Sequence, residues 1–510
     1  MSATSYVPLA LLVAPIMGGL VVAAVPRRAP EQAKALALAI SLAVLALGVV
    51  AGFAFDSGSA EQFQLTWSWA WIPAWGVDLA FGIDGVSLVL ILMTVVLVPV
   101  CILAGWGDAD GAFGSVRGYF AWILVLEGLV LGVFAATDVF VFYVLFEAML
   151  IPMYFLIGRY GGPQRQYAAV KFFLFSLLGG LLMLAALAGV YVISADQLGS
   201  GTFDYASLVG LEITPGTQRW LFLGFFIAFA IKAPLWPLHT WLPDAAAEAP
   251  PSSSVLLVGV LDKVGTFGML RLCLPLFPDA AKYFAPMIIV LSVVGVIYGA
   301  LVAMGQTDLK RLIAYTSVSH FGFIVLGIFA MTSQGQSGAS LYMVNHGFSI
   351  AALFLIVGFM ATRRGSRLME DFGGVHRVAP VLAGTFLVAG LSSLALPGLS
   401  SFVSEFLVLA GTFTRYPVAA AIATVGIILA ALYILIMYQR TMTGPVCDGV
   451  DSMTDLRGRE VLAIAPVIAI IIALGVFPQA ALDVINPSVG QAMTTVGVAD
   501  PAPAVAEQGR

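Results

Sequence analysis

About fourteen long apolar runs constrain this 510-residue chain more than any other feature. Each approaches the ~20 residues that a helix needs to cross the hydrocarbon core of a bilayer. They lie near 5–25, 33–53, 85–105, 117–135, 137–158, 166–194, 220–249, 252–274, 283–304, 308–331, 335–361, 379–412, 418–439 and 459–481. Backbone in lipid must satisfy its own hydrogen bonds, and helices do so. Short alternating segments of the outer-membrane-barrel kind are absent. Hydrophobic residues make up 60% of the chain and charged residues 10%. Soluble domains are nearer 45–50% and about 25%, so a soluble chain of this makeup would expose too much apolar surface. The reading is an all-α integral membrane protein with about 14 transmembrane helices.

The basic residues predict its orientation. With an external N-terminus, fifteen Lys and Arg residues fall on the cytoplasmic side and five outside, while Lys171, Lys232 and Lys263 lie within spans. The positive-inside rule then puts both termini outside, as an even number of spans requires. The first run lacks the basic flank of a signal peptide and reads as a retained helix. Without a transit peptide, and rich in Ala, Gly and Val, the chain is expected in a bacterial inner membrane.

Several chemistries are poorly supplied. The three cysteines, Cys101, Cys273 and Cys447, are too few and too scattered for an iron–sulfur cluster. The four histidines form no H-x-x-x-H pair, and neither G-x-G-x-x-G after a strand nor G-x-x-x-x-G-K-[ST] occurs. No cofactor or metal is expected in this chain. A net charge of -5, thinly spread, suggests no nucleic-acid partner.

Two spans are interrupted, the seventh by "KAPLWPLHTWLP" and the twelfth by "LALPGLSSFVSEF". Proline removes a backbone donor and clashes with the preceding turn, so each run is expected to be two half-helices about an unwound centre. The breaks are five spans apart, which makes the broken helices antiparallel and fits inverted-topology repeats. The expected division is 1–116 (spans 1–3), 117–282 (first repeat, spans 4–8), 283–440 (second repeat, spans 9–13) and 441–510 (span 14 and an external tail). Laying Pro397 on Pro234 sets Ala395 opposite Lys232.

A charge at mid-membrane costs about 2.5–3.5 kcal/mol on insertion scales and marks function by default. Glu147, Lys232, Lys263 and Glu405 sit in such places. Snorkelling suits Arg271 and Lys171, near span ends, and fits Lys232 poorly. A Glu147–Lys232 pair would keep the lysine charged, and separating the two would favour proton release. His320 and His346 join the set, with Ser317, Thr316, Ser319 and Asn345 as neighbours for a polar path. His239, Asp244 and Glu248 follow the first break and either line a half-channel or cap a short helix. Lys310 and Arg311 suit either a cytoplasmic mouth or a positive-inside anchor.

"FAIKAPLWPLHTWLPDAAAEAPPSSSVLLVGVLDKVGTFGMLR" closely resembles the core signature of the antiporter-like subunits of proton-translocating NADH:quinone oxidoreductase, respiratory complex I. "DLKRLIAYTSVSHFGFI" and "FEAMLIPMYFLIG" resemble that family's other blocks. The resemblance implies fourteen helices, inverted repeats and broken helices seven and twelve. It implies that Glu147, Lys232, Lys263, His320 and Glu405 correspond to the family's proposed proton path, with His346 and His239 as further candidates. Related subunits, including Mrp-type antiporter subunits, usually carry a lysine where Glu405 stands, and a glutamate there resembles the subunit M and chain 4 type. Implied partners are the other complex I subunits, which would hold NADH, FMN, iron–sulfur clusters and quinone. The alternative is an Mrp-type secondary cation/proton antiporter subunit.

Overall fold

The computed structural model describes residues 3–111 and 113–501. Helices α1 (Val7–Ala24) and α2 (Pro30–Ala54) lead into a hairpin of β1 (Gln64–Ile72) and β2 (Val77–Ile83). The strands pair antiparallel, with Trp67 opposite Phe81 and Trp69 opposite Leu79. The sequence reading missed this hairpin, whose Trp-rich strands look like part of an apolar run. Then follow α3 (Gly85–Ala104), α4 (Val116–Ala135), α5 (Val139–Ala148), α6 (Leu150–Tyr160), α7 (Arg165–Leu198), α8 (Tyr205–Val209), α9 (Pro215–Lys232) and α10 (Leu242–Glu248).

Next come α11 (Pro251–Val255), a π-helical segment at Leu256–Leu261, α12 (Lys263–Gly268), a second π segment at Met269–Cys273 and α13 (Leu274–Leu276). The second half holds α14 (Pro278–Met304), α15 (Leu309–Phe329), α16 (Ser333–Arg364), α17 (Val375–Val378), α18 (Pro380–Ser393) and α19 (Ser400–Arg415). The chain closes with α20 (Pro417–Met442), α21 (Arg459–Val476) and α22 (Gln479–Val496). The last of these was not expected. It packs back on the bundle, where Ser488 Oγ accepts from Gly85 N–H (2.8 Å) and Ser337 donates to Asn486 Oδ1 (2.8 Å).

Among the described residues, eleven helices are long and apolar enough to cross a membrane, one of them α5 and α6 taken together. The three remaining predicted spans, 220–249, 252–274 and 379–412, are segmented. The segmentation has a local cause at each site. Pro234 cannot donate, and Leu235 N–H reaches back five residues to Ala230 O (2.9 Å). The carbonyl of Ile231, freed by this, accepts from the Trp241 indole (2.9 Å). At the second break Leu396 N–H bonds Leu391 O (3.0 Å) in the same five-residue step, with Ala395 and Gly398 at positive φ.

Lipid tails are as apolar as leucine, so close backbone approach through small residues does much of the packing. A side-chain carbon on Gly322 of α15 would fall 2.7 Å from Ser292 O of α14, and one on Gly299 2.6 Å from Ser319 N. Helix α16 runs through the centre and α15 is nearly as enclosed, while α1, α2, α20 and α21 lie outside. One end of the bundle, the basic end, gathers Lys310, Arg363, Arg367 and Arg459. The other carries the hairpin, Arg271 and Arg415.

Candidate functional site: a buried line of ionisable groups

The first cluster surrounds the α9 break. Lys232 ends α9 and is 1% exposed. Its Nζ has no hydrogen-bond partner among the described residues and stands 5.1 Å from the Phe146 ring and 5.4 Å from that of Phe172. Aromatic faces attract a desolvated ammonium by up to about 2 kcal/mol, which offsets part of its burial. Glu147 follows Phe146, just before the α5–α6 junction at Met149. The expected Glu147–Lys232 pair is therefore open. The groups remain within electrostatic reach, but Glu147 Oε1 also lacks a hydrogen-bond partner among the described residues. Gly180 on α7 makes room for this carboxylate.

Asp262, directly before Lys263 in the chain, joins this cluster. It is fully buried, both carboxylate oxygens lack hydrogen-bond partners among the described residues, and it lies within electrostatic reach of both Lys232 and Lys263. Its backbone N–H bonds Leu257 O (3.1 Å), the five-residue step of the π segment. Such single-turn widenings recur at functional sites. Here the widening leaves Val258 O to accept from Lys263 Nζ (2.6 Å).

From Lys263 a row of buried side chains runs into the second half. Lys263 Nζ meets His346 Nδ1 at 2.6 Å, and His346 Nε2 meets Ser317 Oγ at 3.2 Å. The His346 and His320 rings lie with centroids 5.3 Å apart, tilted at 52°. His320 Nδ1 lies 2.7 Å from the Tyr342 hydroxyl, which donates to Glu405 Oε2 (2.7 Å). All these titratable groups are buried. Tyr342 was not singled out from sequence, although its i, i+4 spacing from His346 puts both on one face of α16.

Of the four neighbours proposed for the histidines, Ser317 alone hydrogen-bonds one among the described residues. Thr316 and Ser319 donate instead to Ile313 O (2.7 Å) and Val296 O (2.8 Å), while Asn345 donates to Ser400 O (2.5 Å). The equivalence of the breaks also changes. Their shared hydrogen-bond pattern pairs Leu235 with Leu396 and Leu238 with Leu399, so Ser393, not Ala395, stands opposite Lys232. Ser393 ends α18 as Lys232 ends α9, and its hydroxyl lies 3.3 Å from His320 Nε2.

His239 stands apart from the row. It is buried, neither ring nitrogen has a partner among the described residues, and its ring packs edge-on against Tyr298 at 5.0 Å. Asp244 bridges Lys171 and Arg311, at 2.7 Å to each, and Glu248 pairs with Arg367 at 2.7 Å. Snorkelling does not describe Arg271, which is buried against Asp84 at 2.5 Å, between the Phe63 and Phe267 rings.

At the basic end a cavity of about 470 Å³ is lined by Asp108, Glu248, Ser252, Lys310, Arg367 and Glu460. Burial holds the Asp108 carboxyl, in the loop after α3, above the ordinary carboxylate range, opposed by hydrogen bonds from Ser252 and Tyr119. Lys310 reaches inward to donate to Ala249 O. That contact gives it a position at the mouth of the bundle, whatever its part in orientation.

Residues 136–430 match the family described as NADH:quinone oxidoreductase/Mrp antiporter, TM. The chain is 53% identical over 481 residues to NADH-quinone oxidoreductase subunit M of Mycobacterium tuberculosis, covering 88% of this chain and 87% of that one. The chain belongs to the subunit M branch of this antiporter-like family. It is likewise 38% identical to NADH-ubiquinone oxidoreductase chain 4 of Arabidopsis thaliana, over 94% and 95% of the two chains. A chain of respiratory complex I from Thermus thermophilus superposes with a TM-score of 0.87 at 33% identity, across 96% of this chain and all of that one. Within the matched region lie Glu147, Lys232, Asp262, Lys263, His320, Tyr342, His346 and Glu405.

Proposed function

We propose that the chain is a proton-translocating membrane subunit of NADH:quinone oxidoreductase, moving protons while partner subunits carry electrons from NADH to quinone. FMN, iron–sulfur clusters and the quinone belong to those partners, among them neighbouring antiporter-like subunits. The observation that carries this reading is the buried row from Lys263 through His346, His320 and Tyr342 to Glu405. Each member exchanges a proton, and each hydrogen-bonded step is about 2.7 Å or less. Glu147, Lys232 and Asp262 form the other half of the path, with Lys232 as a carrier whose charge depends on its distance from the two carboxylates.

The matching breaks at 233–241 and 394–399 support inverted repeats over 117–282 and 283–440, flanked by 1–116 and 441–510. The basic end then faces the cytoplasm of a bacterium, the span-bearing body lies in its plasma membrane, and both termini are outside. The Mrp-type antiporter reading is weaker, because Glu405 stands where such subunits usually carry a lysine. Purification of the tagged chain tests the assignment. NADH-oxidising subunits and NADH-driven proton uptake in proteoliposomes are expected to accompany it. Ion exchange without any NADH-oxidising partner would replace this reading with the antiporter one.

A further inference from the structure

A second cavity lies outside the ionisable row. It is a groove of about 880 Å³ between α14 and α20, walled by Val290, Val293, Ile297, Val418 and Ile422 and ending at Arg415. Val290 is 60% and Val418 72% exposed, so the groove opens to the outside of the bundle. Helix α14 carries Pro286 on the groove wall and α20 begins at Pro417. The helices themselves touch at Gly426, where an added side-chain carbon would fall 2.4 Å from Val296.

Its charge is confined to one place. Arg415 uses Nη2 on Ala499 O (2.7 Å), while its Nε is buried with no partner among the described residues. A guanidinium has five donors suited to a planar or phosphate oxyanion, and no carboxylate is among the residues lining the groove. From Pro286 to Leu301 the groove runs roughly 22 Å at 1.5 Å per residue. That is longer than the half-thickness of a bilayer core, about 15 Å, and shorter than the ~30 Å face that a spanning partner helix would need. Length, apolarity and a single terminal cation fit a lipid acyl chain with a phosphate at its head.

We propose that this groove is a binding site for an anionic phospholipid in the leaflet opposite the basic end. Its headgroup sits on Arg415 and one acyl chain lies between α14 and α20. The intact complex is reconstituted with phosphatidylglycerol bearing a photoactivatable acyl chain, or with the matching phosphatidylcholine, then irradiated and digested. Labelling is expected on peptides spanning 286–301 and 417–422, with phosphatidylglycerol favoured. Arg415→Gln is expected to lower phosphatidylglycerol labelling about five-fold, the scale of one basic residue near an anionic surface, and leave phosphatidylcholine unchanged. Val293→Trp, which fills the groove, is expected to abolish labelling by both while native gels show an assembled complex. Equal labelling by the two lipids that Arg415→Gln does not alter overturns the site. So does a photoreactive amino acid at Val290 that cross-links to a neighbouring subunit or to residues 502–510 instead of to lipid.

Discussion

A side-chain carbon on Gly180 would stand 1.8 Å from Oε1 of Glu147, so the bare glycine on α7 fixes where that carboxylate rests. The obstacle would be the end of a flexible side chain, and the fold can absorb it. Gly180→Ala is therefore expected to keep the assembled complex and every titratable group, yet to move the carboxylate relative to Lys232. Misplacement by about 1 Å costs up to a hundred-fold in rate, so proton uptake is expected to fall about ten-fold or more. Glu147→Ala is expected to fall at least as far. Undiminished uptake by an assembled Gly180→Ala complex would show that the position of Glu147 does not matter.

Lys232→Arg keeps the charge but replaces a group that can release its proton with one that stays protonated in proteins. Among the described residues, the site between Phe146 and Phe172 also has no carboxylate in contact to receive a second fork of donors. Uptake traces are expected to be nearly as damaged as those of Lys232→Ala. Normal pumping by the arginine protein would make Lys232 a fixed charge.

Tyr342→Phe removes one oxygen, the one shared by His320 and Glu405. Its single hydroxyl hydrogen can serve only one of them at a time. The variant is expected to slow transfer about as much as Glu405→Gln, and the double variant to be no worse than either alone. Glu405→Lys is expected to retain some activity, since related subunits use that residue. Additive losses in proteoliposomes would mean that the two groups act on different steps.

Asp262→Asn preserves size and removes the only carboxylate lying within electrostatic reach of both lysines among the described residues. Coupled NADH oxidation is expected to drop several-fold, while uncoupler-stimulated oxidation with an artificial acceptor is spared. An unchanged coupled rate would reduce Asp262 to a structural residue.

What could be read in the sequence was whatever a single residue type imposes locally. Pro234 and Pro397 break helices wherever they fall, and Lys232 or Glu405 in an apolar run is costly in any fold. Pairings across the chain were another matter. Arg271 read as a snorkelling cation because its partner, Asp84, lies on another helix start, and no local pattern links them. Tyr342 was passed over because buried tyrosines are common. Only the arrival of Glu405 from α19 turns its hydroxyl into a connection. The break equivalence was shifted by two residues because prolines were aligned, whereas the backbone repeats through its hydrogen bonds.

Asp244 holds the short α10 from both sides, bonded at once to Lys171 of α7 and Arg311 of α15. Such a helix is a tie rod. Turning it about its axis would carry Asp244 with it and load both ion pairs, one to each half of the molecule.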